Sequence, residues 1–257
     1  MSRQITDERL SGMAARLRLA YMRDHLAEMM KDASDAGMTP RETLEYMLSR
    51  EVEQRESNRI RISTMAAHFP RPCTLESFDF SAQPTLDPGI IRDLARMEWI
   101  DAGGNVLFLG PPGVGKTHLA IALGRLAVQK GDSVLFISAS RLMSGLEKAC
   151  KEGALLEKLA TLYKPRLLII DELGYLPFPD QAASLFFQLV SRRYEHKSIL
   201  ITCNRSLNDW GRIFGDSTVA TAILDRLLHH CTPVTIIGDS YRIKEAKKKK
   251  FLEKIEN

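Results

Sequence analysis

Residues 110–117 read Gly-Pro-Pro-Gly-Val-Gly-Lys-Thr, and residues 167–172 read Leu-Leu-Ile-Ile-Asp-Glu. The first segment fits the phosphate-binding pattern G-x-x-x-x-G-K-[ST] at every fixed position. Gly110, Gly113 and Gly115, with Pro111, Pro112 and Val114 between them, let the backbone turn tightly enough for its N–H groups to converge on phosphate oxygens. Lys116 supplies positive charge for the β- and γ-phosphates, and Thr117 offers a hydroxyl to Mg2+. From His118 onward the chain turns helical, so the phosphates would sit over a helix N-terminus, where orphan N–H groups and the macrodipole favour anions. In the second segment Asp171 is placed to hold Mg2+ with Thr117. Glu172, next to it, is placed to orient and polarise an attacking water. The pair predicts binding and hydrolysis of a nucleoside triphosphate rather than transfer of its phosphoryl group to a metabolite.

Such residues work only if secondary structure presents them together. Asn-Val-Leu-Phe-Leu-Gly (105–110) reads as a buried strand running into the loop. Residues 118–131 read as a helix closed by Lys130 and Gly131. Further strands are expected over 133–138, 167–170, 198–204 and 233–238, with helices over 181–194, 207–213 and 218–230 between them. Two basic helical stretches lie between Arg141 and Tyr163. The alternation predicts an α/β fold, a parallel P-loop NTPase sheet flanked by helices. Two amphipathic helices are expected over 6–67. The second opens on a capping box, Thr39-Pro40-Arg41-Glu42. So small a pair cannot bury both apolar stripes alone and is expected to pack on the main domain or on a partner. The organisation expected is a helical domain over 1–68, a connection over 69–89 containing four prolines, and an ATPase domain over 90–257.

At 257 residues, 44% hydrophobic and 26% charged, the composition is that of a globular chain. No apolar run approaches the roughly 18 residues of a membrane span, and the opening residues lack a secretory core, so a cytoplasmic location is expected. Cys73, Cys150, Cys203 and Cys231 form no C-x-x-C pair and read as reduced thiols. His229, His230 and Cys231 suggest a metal cluster, but neighbours on a helix do not share a face, which argues against joint chelation. The net charge is +4. Residues 1–70 are neutral, with 11 Lys+Arg and 11 Asp+Glu, whereas 238–257 hold 7 Lys+Arg against 4 Asp+Glu. That lysine-rich tail is open to two readings, phosphate contact or a solvated end.

Several longer segments resemble a known family. Gly-Pro-Pro-Gly-Val-Gly-Lys-Thr-His-Leu-Ala, Asp-Glu-Leu-Gly-Tyr-Leu-Pro (171–177), the stretch 192–216 with its Trp-Gly-Arg-Ile-Phe-Gly-Asp, 220–230, and Gly-Asp-Ser-Tyr-Arg-Ile-Lys (238–244) look like IstB-type insertion-sequence ATPases. These belong with the DnaC-like helicase loaders among the AAA+ proteins. Residues 17–30 and 74–80 fit as well, so the likeness covers nearly the whole chain. It implies ATP and Mg2+ as cofactors. It further implies Asn204 as the sensor of the γ-phosphate, Arg226 as an arginine finger acting on a neighbouring subunit, and Arg242 as a second sensor within the same subunit. A finger supplied in trans implies a head-to-tail homo-oligomer, an open spiral or ring-like assembly. Arg141, Lys148, Lys151, Lys158 and Lys164 lie where this clade carries DNA-facing helices, and contacts there would be to phosphates and independent of sequence. The function implied is a transposition helper that assembles on double-stranded target DNA and stimulates a cognate transposase, with hydrolysis dismantling the assembly. The alternative is a replicative helicase loader. A metabolite kinase would need an acceptor pocket and an arginine-rich lid, and neither stands out. Cys203 departs from the small polar residue expected before Asn204.

Overall fold

A computed structural model describes residues 2–174 and 180–244. The last part of Asp-Glu-Leu-Gly-Tyr-Leu-Pro, from Tyr175, and the lysine run of the tail lie outside the described residues. Contacts divide the chain into two units, Met1–Ile62 and Ser63–Asn257.

The first unit is helical, with α1 (Ser2–Arg16), α2 (Ala20–Asp35) and α3 (Pro40–Ala66), the unit boundary falling within α3. Where one helix was expected before Gly37 there are two. Arg18 adopts φ 57°, and the Leu19 and Arg18 N–H groups donate back to the Ala14 and Ala15 carbonyls, closing α1 with the hydrogen bonds of a left-handed cap. Arginine rather than glycine occupies that position, so no residue type announced the break. The capping box at α3 forms as expected. The Thr39 N–H donates to Glu42 Oε2 at 2.7 Å and the Glu42 N–H to Thr39 Oγ1 at 3.4 Å.

In the second unit the chain runs through a short 3-10 turn at Phe80–Ala82 and helices α4 (Pro88–Leu94) and α5 (Glu98–Asp101) before the sheet. There follow β1 (Asn105–Leu109), α6 (Lys116–Lys130), β2 (Val134–Ser138), α7 (Ala139–Lys151), α8 (Leu155–Tyr163), β3 (Leu167–Leu173) and α9 (Asp180–Arg193). The unit continues through β4 (Ser198–Cys203), α10 (Trp210–Phe214), α11 (Ser217–Leu228) and β5 (Cys231–Thr235). All strand pairs are parallel, in the order β2-β3-β4-β1-β5. Alternation along β3 separates two cores. Leu168 and Ile170 join the large cluster with α7, α9 and α11, whereas Ile169 faces α6 at Gly124. The expected α/β fold is therefore the one observed. β5 starts two residues earlier than its proline suggested. Pro233 pairs with Leu107 in an edge strand, where a missing N–H is tolerated. α11 stops at Leu228, short of the two histidines expected inside it.

Candidate functional site

The parallel strands end together, and the loops leaving them build one cavity of about 800 Å³. The turn after β1 forms its floor. Gly113 and Gly115 have φ of 86° and 98°. A Cβ at Gly113 would collide with Ser240, and one at Gly115 would stand 2.5 Å from the Phe78 ring, so both positions require the missing side chain. Lys116 is buried, and its ammonium donates to the Gly110 and Pro111 carbonyls at 2.6 and 2.7 Å. Burial pushes its pKa below the usual lysine range, with Cys203 and Asp171 opposing that shift and Arg242 adding to it. An incoming polyphosphate would therefore meet a desolvated cation with strong reason to pair.

Thr117 and Asp171 meet as the sequence spacing suggested. Thr117 Oγ1 donates to Asp171 Oδ1 at 2.8 Å. A second hydroxyl, from Thr202 on β4, donates to the same oxygen at 2.6 Å and accepts the Glu172 N–H at 2.9 Å. Glu172 has φ 61°, and the β3–β4 register shifts between Ile170 and Leu173. A left-handed non-glycine residue inside a strand is strained, and such strain collects at functional sites. Here it turns Glu172 out of the strand's alternation into the cavity wall, which it shares with Thr202 and Asn204. Thr202 carries no signal in the sequence, where a threonine in an apolar strand is ordinary.

The oxygen Asn204 Oδ1 is buried and lacks a hydrogen-bond partner among the described residues. Together with the glycine cradle, that orphaned acceptor shows a site built for a polar occupant rather than a filled core. Thr117 and Asp171 are the oxygen donors that would hold Mg2+, consistent with its preference for few protein oxygens plus phosphate.

The roof comes from the segment expected to be a mere connection. Phe78, Asp79, Gln83 and Arg71 line the cavity. Gln83 Nε2 donates to the Asp239 carbonyl at 3.2 Å, Thr85 Oγ1 to the Ile237 carbonyl at 2.6 Å, and the Tyr241 N–H to the Gly113 carbonyl at 3.0 Å. These bonds tie 78–85 and 236–241 to the loop below. His118 completes the wall, 2.8 Å from the Thr74 carbonyl and edge-on to Phe78. Arg242 lines the same cavity.

Arg226 does not. It sits in a separate shallow groove on α11 with Ser217, Thr221 and Asp225, its Nη1 donating to the Ala222 carbonyl at 3.0 Å and its guanidinium 4.6 Å above the Phe187 ring. Arg141, Lys148 and Lys151 lie exposed along α7, away from its buried face of Leu142, Leu146 and Ala149. Lys148 spends part of its charge on Glu152, 3.8 Å away. Lys164 caps α8 and is exposed, whereas Lys158 is half-buried against α7 at Gly145.

A parallel sheet in this order, with a phosphate cradle after its first strand and a pair of acids at the end of its third, defines a P-loop ATP-binding protein of the AAA+ type. Structural likeness agrees at the level of the fold. AMPPCP-bound DnaA from Aquifex aeolicus superposes with a TM-score of 0.55 at 23% identity, over 71% of this chain and 56% of that one. DnaI superposes with a TM-score of 0.53 at 21% identity, over 64% and 90%. The sequence places it more narrowly. The IstB-like ATP binding protein family matches residues 12–249, and the chain belongs to that family. It is 44% identical to the "Insertion sequence IS21 putative ATP-binding protein" of Pseudomonas aeruginosa, over 95% of this chain and 92% of that protein. Its identity to the IS5376 counterpart of Geobacillus stearothermophilus is 42%, over 93% and 95%. Among the described residues no helix is long and apolar enough to cross a membrane.

Proposed function

We propose that this chain is an ATP-hydrolysing, Mg2+-dependent helper of transposition. On this reading it assembles head-to-tail on double-stranded target DNA, presents that DNA to a cognate transposase and stimulates it, and dismantles the assembly on hydrolysis. The observation that carries the reading is the separation of the two arginines. Arg242 lines the nucleotide cavity of its own chain, while Arg226 stands on a different surface, held by α11 and Phe187. An arginine standing outside the nucleotide cavity of its own chain supports a role on a neighbour's nucleotide.

Within one chain the roles divide by position. Lys116 and the loop N–H groups bind the phosphates, and Thr117 with Asp171 hold Mg2+, which would supply charge neutralisation on the phosphoryl oxygens. Glu172, fixed through its N–H to Thr202, orients the attacking water and takes its proton. Asn204 donates its amide to the γ-phosphate, and Arg242 senses the nucleotide from above. The neighbour's Arg226 neutralises charge developing on the transferred group, a contribution of the order of 10³-fold or more in related chemistry. The exposed basic stripe of α7 contacts DNA phosphates, which makes binding sequence-independent and salt-sensitive.

The test is ATP turnover against duplex DNA concentration, for wild type and Arg226→Ala, with sedimentation in ATP. Duplex-stimulated turnover, nucleotide-dependent assembly and loss of turnover in the variant are expected. DNA-independent turnover by a monomer, untouched by the substitution, would return the chain to a stand-alone ATPase. Co-purification with a replicative helicase in place of a transposase would instead make it a helicase loader.

A further inference from the structure

At the opposite edge of the sheet, where the strands begin, three side chains converge that the nucleotide chemistry does not use. Because α11 ends at Leu228, His229 and His230 lie in the turn leading to β5, and their rings stand 4.0 Å apart. Both face one carboxylate. His229 Nδ1 and His230 Nε2 each lie 3.6 Å from Glu195 Oε1, and the three donor atoms fall within 4.8 Å of one another. Cys231, expected to share any such cluster, instead packs against the apolar core.

The distances discriminate between two readings. A hydrogen-bonded imidazole–carboxylate pair sits at about 2.7–3.2 Å. Two donors bound about 2.1 Å from one tetrahedral ion lie about 3.4 Å apart. At 3.6 Å, twice, on a single oxygen, the spacing is longer than a hydrogen bond and close to that of ligands sharing an ion.

The scaffold holds both arms of the cluster in place. Glu195 adopts φ 61°, and the close approach of Gly103 to its backbone leaves 3.1 Å where a Cβ would stand. Buried Asn105 donates to the Leu227 carbonyl at 3.1 Å and accepts the Ile199 N–H at 2.9 Å, while its own N–H donates to the His230 carbonyl at 2.7 Å. One side chain and its backbone thus fix the end of α11, the histidine turn and the start of β4. The Tyr194 hydroxyl lies 2.7 Å from His229 Nδ1 and is the group an ion there would displace.

We propose that Glu195, His229 and His230 form a binding site for one divalent transition-metal ion, with two imidazole nitrogens and one carboxylate oxygen as ligands and water completing the shell. The donor set suits Zn2+, Ni2+ or Co2+ and not Mg2+ or Ca2+, which demand oxygen. Occupancy joins the end of α11, three residues past Arg226, to the turn after α9, whose Phe187 carries that arginine. The proposal stands independently of the function proposed above.

The probe is Ni2+, titrated calorimetrically into tag-free, nucleotide-free protein, with thermal unfolding recorded at each addition. One ion per chain is expected, with a metal-dependent rise in Tm. His229→Gln and His230→Gln should each weaken binding at least about tenfold and abolish the Tm rise. All three ligands are exposed, so the metal-free Tm of the variants should match wild type. Binding that survives both substitutions, or no binding at about 100 µM ion, where even a weak site would fill, overturns the proposal.

Discussion

The two units of this chain solve the same problem with different means. In the α/β unit a continuous cluster runs from Leu107 and Leu168 through Phe186 and Leu189 to Ile223, its buried members no more than 5% exposed. In the helical unit the buried apolar cluster is Leu26, Met29 and Met47, edged by Tyr21, Met22 and Tyr46. Meanwhile Leu10 and Met13 on α1, Leu17 in the turn after it, and Leu44, Leu48 and Val52 on α3 remain exposed. The α/β unit is held by apolar burial that scales with area. The helical unit has less of it, so individual polar contacts carry a larger share of its stability. The difference teaches where each unit is vulnerable, and substitutions can break it or sharpen it.

The largest effect belongs to the dense core. Phe186 is fully buried between α9 and α10, stacked on Phe214 with centroids 5.4 Å apart. Phe186→Ala removes the ring and leaves a cavity that close-packed neighbours cannot fill, at a cost of about 3–5 kcal/mol. Chemical unfolding of the full chain should show that loss. Hydrogen exchange should locate it in β3, β4 and α9, with the amides of α2 unaffected. Equal loss of protection in α2 would mean the units do not unfold separately.

The same contrast governs what could be read from sequence. Strands, the phosphate loop, α6 with its terminal Gly131 and the Asp171–Glu172 pair announced themselves, because apolar runs, glycines at fixed spacing and paired acids each have one dominant physical meaning. What stayed hidden depends on partners distant in the chain. Phe78, Gln83 and Arg71 form the cavity's roof, yet their proline-rich surroundings read as a connection. Glu172's left-handed backbone and Thr202's bridging hydroxyl follow from a register shift between two strands, which no local pattern encodes. Arg193 reads as a basic residue in a helix's last turn. In the fold it is buried, donating to the carbonyls of Leu162, Pro165, Arg166 and Ser198, and burial pushes its pKa down to about 10. A helix through 230, as expected from sequence, would keep His229 and His230 from joint chelation, whereas α11 ends at Leu228 and leaves both histidines in the turn.

An intermediate effect is expected in the helical unit, at Glu51. Its carboxylate is buried, accepts the Met22 N–H at 3.0 Å and pairs with Arg55 at 2.8 Å, tying α2 to α3. Burial works against the charge, but these donors win and hold Glu51 below the usual carboxylate range. A depressed folded-state pKa contributes stability that is present above the unfolded value of about 4.3 and is lost as pH falls through the folded one. Glu51→Gln should therefore cost about 1–3 kcal/mol at neutral pH. It should also flatten the acid dependence of exchange in α2 and α3. A variant as acid-sensitive as wild type would assign that dependence to other carboxylates.

The smallest effect tests how far one cap matters where packing is thin. The Thr39 hydroxyl accepts the Glu42 N–H, and Glu42 returns a bond to the Thr39 N–H, so two orphan donors of α3 are satisfied by adjacent residues. That donation, first from the backbone and then from the hydroxyl, holds Glu42 below the ordinary carboxylate range. Thr39→Ala removes the hydroxyl partner and should cost about 1 kcal/mol. Thr39→Ser should keep nearly all of it. In a unit stabilised mainly by its core such a loss would spread over many contacts and leave local exchange unchanged. Here the first turn of α3 presents Leu44 to solvent and has little packing to fall back on. Its amides should exchange about fivefold faster in the alanine variant, the factor that 1 kcal/mol implies. Unchanged exchange would mean that packing of Met47 alone sets the stability of that end of the helix.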